Sequence, residues 1–63
     1  MLIKDVPKGR VIETILFGKP SGYKYILDDI YNDINGIKYR VGYCVDSEDK
    51  YYLPLNGECR YVE

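Results

Sequence analysis

The sequence predicts an all-β fold, a small sheet of five antiparallel strands curled strongly enough to bury one common face. Three observations predict it. Ile, Val and Tyr, which fit a pleated, half-buried surface, come in short runs punctuated by Gly, Pro, Asn and Asp. Alanine, the best helix former, is absent. Asn35-Gly36, the pair favoured by a two-residue type I′ hairpin turn, stands between two apolar-rich runs.

The elements follow in order. Residues 1–9 read as a lead-in strand or arm and residues 10–17 as the first strand. Gly18-Lys19-Pro20-Ser21-Gly22 is rich in turn formers and reads as a loop. Residues 23–33 form a long second strand, and a turn at Asn35-Gly36 sets its pairing with the third, residues 37–46. In that register Ile34 faces Ile37, Asp33 faces Lys38, Tyr31 faces Arg40 and Ile30 faces Val41. One face then stacks Ile30, Ile34, Ile37, Tyr39 and Val41, while the other pairs opposite charges and sets Tyr31 beside Arg40. Residues 46–49 are a polar turn, and Lys50–Leu53 a fourth strand stopped by Pro54. Residues 55–57 turn again, and 58–62 make a short fifth strand.

A rival reading is α+β, with one short helix around residues 25–35. Ile26, Ile30 and Ile34 recur at every fourth position, Ser21 stands upstream as a cap and Gly36 follows as a C′ residue. Against it, the segment is almost wholly Ile, Tyr, Asp and Asn, middling or poor helix formers.

Five short strands must curl or close to bury a common face and limit their exposed edges. The long second strand, the hairpin, the fourth strand ending in Leu53-Pro54 and the brief last strand together resemble the SH3-like pattern over about the last 40 residues. The resemblance implies a small five-stranded SH3-like barrel; a strongly curled antiparallel meander satisfies the same pattern. Signalling SH3 domains carry a tryptophan at the start of a central strand and this chain has none, so no peptide-binding residues are carried over.

At 63 residues the chain has room for one domain, residues 1–63. Its 46% hydrophobic and 30% charged residues are those of a folding chain rather than a disordered one. A net charge of -1 argues against a nucleic-acid binder, which ordinarily carries a basic stripe, and against a mimic of the phosphate backbone, which needs a field of one sign. No apolar run approaches the ~20 residues of a membrane span, and no apolar leader opens the chain, so a cytoplasmic location is expected. Codon-biased composition, rich in Ile, Lys, Asn and Tyr, points to a low-GC genome, that of a bacterium or one of its phages.

Chemistry is sparsely provided for. Histidine, the commonest general base, is absent. Asp28 and Asp29 are adjacent, so in a strand they point to opposite faces. Cys44 and Cys59 have no CxxC spacing and no histidine to complete a zinc site, and read as reduced, mostly buried thiols. Asp33 and Asn35 precede Gly36 as in a calcium loop, but Tyr31 and Gly42 stand where its first and last ligands belong. No cofactor, metal or enzymatic activity is expected.

What stands out is tyrosine interleaved with charge: Tyr23-Lys24-Tyr25, Asp28-Asp29-Ile30-Tyr31, Lys38-Tyr39-Arg40, Lys50-Tyr51-Tyr52. Tyrosines of this kind either substitute for larger apolar residues in a core too small to hide them or stand together on a binding face. The sequence therefore predicts a protein-binding module or small inhibitor, with a tyrosine and carboxylate surface made of Asp29, Tyr31, Asp33 and Arg40 with Tyr23 and Tyr25. The alternative is a small barrel that stacks single-stranded nucleic acid on its aromatics, with Lys24, Lys38, Arg40 and Lys50 along the strand. A third expectation is self-association through an uncovered edge strand.

Overall fold

Five strands form in the computed structural model, which describes residues 1–62: β1 (Val11–Leu16), β2 (Lys19–Asn32), β3 (Lys38–Cys44), β4 (Lys50–Leu53) and β5 (Cys59–Tyr61). They make one antiparallel sheet in the order β4-β3-β2-β1-β5. The all-β expectation holds. Residues 25–35 are strand and turn, not the alternative helix. Among the described residues no ladder joins β4 to β5, so the sheet is an open, curled meander rather than a closed barrel.

The first nine residues are not a strand. They make a single 3₁₀ turn, Ile3–Asp5, and run along the outer edge of β5. Ile3 N–H donates to Gly57 O at 2.9 Å, Lys4 N–H to Leu55 O at 3.0 Å and Cys59 N–H to Met1 O at 2.9 Å. The arm thereby caps one sheet edge and delivers Ile3 and Val6 to the core, where they meet Ile12, Tyr25, Leu27, Leu53 and Cys59. Gly42 is required at the middle of this core, because a Cβ there would lie 2.8 Å from Leu53 Cδ1 and 3.3 Å from Tyr25 Cβ.

The other edge, β4, is only four residues long, carries Lys50 and stops at Pro54. Short, lysine-bearing, proline-stopped edges are the kind that discourage further pairing.

Two turns differ from the sequence reading. The β1–β2 connection is not a five-residue loop but the two-residue turn Phe17-Gly18, with φ of 53° and 75°. Residues 19–22 belong to β2, where Gly22, at φ 85°, absorbs an irregularity opposite Thr14. Two positive φ values are the type I′ pattern. A bulky phenylalanine in that conformation costs about 1–2 kcal/mol. Replacing Phe17 with Asn, which tolerates it, is expected to raise stability by about 1 kcal/mol, some 4–8 °C in melting temperature for a domain this small, readable by thermal circular dichroism.

The β2–β3 hairpin is shifted by one residue from the expected register. Asn32 pairs with Lys38, Tyr31 with Tyr39 and Ile30 with Arg40. The cause is Asp33. Its carboxylate accepts N–H bonds from Asn35 and Ile37 at 2.8 and 2.9 Å, and its own N–H donates to Ile37 O. This side chain supports a wider turn over residues 33–37 and leaves Ile34 and Ile37 exposed instead of paired. A bulge at Asp28-Asp29 restores the core-facing parity of Leu27.

Candidate binding face

Directly opposed residues of antiparallel strands share a face, and neighbours along a strand alternate. Following the ladders outward from Val41, the face opposite the core carries Lys24, Ile26 and Tyr31 on β2, then Tyr39, Val41 and Tyr43 on β3. It continues with Lys50 and Tyr52 on β4 and, at the other end, with Val11, Glu13 and Arg60.

Three tyrosines cross this face on adjacent strands. Tyr31 and Tyr39 stack with ring centroids 6.2 Å apart, and Tyr52 meets Tyr39 edge-on at 5.0 Å. Lys50 Nζ lies 5.6 Å from the Tyr52 ring centre. Val41 is only 1% exposed although it belongs to this outer face. The face is thus an aromatic layer over a small apolar floor.

Its unpaired charges are lysines. Lys24 and Lys50 have no ion-pair partner among the described residues, Glu13 is 5% exposed, and the exposed Asp29, which lines a pocket with Tyr31, is paired with Lys8. Glu13 is held by Arg60, at 3.0 and 2.7 Å, and by the Gly22 N–H at 2.9 Å. Of the carboxylates expected near the tyrosines, Asp33 is held in its turn, while Asp29, at the bulge, lines a pocket with Tyr31.

The Arg60 guanidinium, aided by Gly22 and Lys24, holds the Glu13 carboxyl below its ordinary 4.5, although burial pushes it the other way. A lowered folded-state value means that this group's stabilisation is present above the unfolded value and is lost as pH falls through the folded one. The urea midpoint is expected to decline as pH drops below 4.5. In Glu13→Gln part of that decline disappears.

The six residues expected to form the site are dispersed. Tyr31 lies on the tyrosine face, with Asp29 beside it lining the same pocket. Tyr25 is 8% exposed, packed in the core edge-on to Tyr51 at 5.4 Å. Arg40 is 4% exposed and points inward, because the one-residue register shift turns it away from Tyr31. Its Nη1 donates to Ile3 O and Val6 O at 3.1 and 2.7 Å, and its Nε to Asp28 O. Asp29 shares Lys8 with Asp28, at 3.1 and 3.4 Å, and Asp33 is committed to its turn. Tyr23 is exposed at the rim of a groove on the core side.

The residues missed were Tyr39, Tyr43 and Tyr52. Tyr39 and Tyr52 stood among the tyrosines interleaved with charge, but Tyr39 was placed on the stacked apolar face with Val41, and the alternation Tyr39-x-Val41-x-Tyr43 is the signal that joins Tyr43 to them. Of the two thiols, both free, Cys59 is buried and pushed up by that burial. Cys44 is half-buried rather than hidden, and hydrogen bonds from Ser47 and the Asp46 and Ser47 amides hold it below the ordinary thiol value. Among the described residues no cluster of His, Cys, Asp and Glu is placed to hold a metal, and no helix is long and apolar enough to cross a membrane.

No family model matches the chain, and no solved structure matches it. Jacalin-related lectin 42 of Arabidopsis thaliana is similar: 44% identical over 43 residues, which is 68% of this chain and 10% of that protein. The chain therefore corresponds to about a tenth of the length of the curated relative.

Proposed function

We propose that the chain is a non-enzymatic binding module that engages a larger protein through its tyrosine face, against an acidic surface of that partner. The observation that carries this is the Tyr31, Tyr39 and Tyr52 array on three adjacent strands, flanked by Lys24 and Lys50, which have no ion-pair partner among the described residues. Tyrosine offers large contact area for little lost rotamer freedom, and lysines beside it steer an acidic surface into place. Inhibition of the partner, with a phage as one source of such a gene, is the form of this activity that a small chain without catalytic equipment suits.

The test compares immobilised wild-type protein with a Tyr52→Ala column, both loaded with the same nuclease-treated lysate. A protein held by the first and released by the second supports the reading. Equal retention on both columns removes the tyrosine face from it. If nuclease is omitted and nucleic acid is retained with a steep salt dependence, the face is instead a stacking platform for single strands.

One observation favours a second reading, carbohydrate binding: the partial identity to a plant protein named as a lectin, joined to exposed tyrosine rings of the kind a sugar ring lies against. A glycan array separates the two. Binding of a defined sugar that is lost in Tyr52→Ala would replace the protein partner with a glycan.

A further inference from the structure

On the core side of the sheet, away from the tyrosine face, an apolar groove of about 220 Å³ opens between Ile3, Leu16, Tyr23, Tyr25, Leu53 and Pro54. It is smaller than the ~300–1,000 Å³ typical of small-molecule sites, and its size suits a single side chain. Beside it stands such a side chain. Phe17 follows Leu16 at the turn, is fully exposed, and is held at a φ of 53° that a bulky residue rarely adopts. Strain kept at an exposed aromatic is a functional signal.

We infer that the chain pairs with a second copy of itself, the Phe17 of each copy seated in the groove of the other. A projecting residue next to a matching recess is self-complementary about a two-fold axis, the arrangement of an isologous dimer. Charge agrees with the pairing. Lys19 lies two residues beyond Phe17, and Glu58 lines the groove; both are exposed. Docking brings Lys19 of one copy toward Glu58 of the other, twice per dimer.

Each phenylalanine contributes on the order of 150–250 Å² of buried surface. Two of them with their surroundings fall short of the ~1,600 Å² of a standard stable interface. An interface of that size is of the weak, transient class. The inference is independent of the proposed partner, which uses the opposite face.

Sedimentation equilibrium of the full chain, from about 10 μM to about 1 mM, spans the affinity of such an interface. Wild-type mass is expected to rise toward the dimer, while Phe17→Asn stays monomeric and retains its fold by circular dichroism. Lys19→Glu and Glu58→Lys each weaken association by roughly tenfold, and the double variant, which reverses both charges, recovers it. A wild-type protein still monomeric at the highest concentration overturns the inference, as does a dimer that Phe17→Asn leaves unchanged, which would place the contact on another surface such as the β4 edge.

Discussion

Replacing Arg40 with methionine is expected to lower stability by about 3–5 kcal/mol and to leave much of the protein unfolded at 25 °C. The side chain is 4% exposed, and its guanidinium joins three carbonyls from two segments: Asp28 O in the bulge, and Ile3 O and Val6 O in the arm, of which Ile3 O also accepts the Val6 N–H. Charge-assisted hydrogen bonds are worth ~1.5–3 kcal/mol each, and removing one side leaves buried acceptors without water. A 63-residue domain has only about 3–9 kcal/mol in total. The arm should detach first, exposing the outer edge of β5. Urea titration gives the loss directly, and a change below about 1 kcal/mol would show that the arm is held by its apolar residues alone.

Tyr52→Ala is expected to weaken partner binding by about 2 kcal/mol, roughly 30-fold, at a stability cost near 1 kcal/mol. Tyr52 is 65% exposed, so little of it is needed by the fold, although its ring meets Tyr39 and lies across the ladder from Val41. The contrast is Tyr25→Ala, which empties a core position and is expected to cost 3 kcal/mol or more before any effect on binding. Binding isotherms and urea melts of the two variants separate the roles. A Tyr52→Ala protein that binds like wild type would move the interface off this face.

The sequence made the strands legible and mistook their sides. Lys50–Leu53 with its proline stop, the strand after Arg10 and the reversal at Gly36 all follow from local chemistry that the structure keeps. Register did not follow, because Asn35-Gly36 signals a tight turn while Asp33, two residues earlier, supports a wider one with its own carboxylate. A one-residue slip reverses every side chain on the strand. On β3 the error had a further cause. Tyr39 and Val41 read as part of the stacked apolar face, and Arg40 as part of the opposite, charged one. The structure inverts this: Gly42 admits Leu53 and Tyr25 at close range, and Arg40 finds carbonyls inside. Neither accommodation is visible without the arm and the neighbouring strands, which come from distant parts of the chain. The expected surface does not assemble as one face for the same reason: the register shift turns Arg40 inward and Asp33 is committed to its turn, while Asp29 still lines a pocket with Tyr31.

The central position of β2 has a consequence for the order of assembly. It forms one ladder with the strand before it and another with the strand after it, both through short local turns. Loops of that length close within about a microsecond, so either hairpin can begin the process alone. The pairing of Ile12 with Tyr61, and of the arm with residues 55–59, instead joins opposite ends of the chain and must wait for a much longer loop to close. The slow event in making this protein is then the arrival of its two ends. Until it happens Arg40 and the groove beneath Leu53 face water.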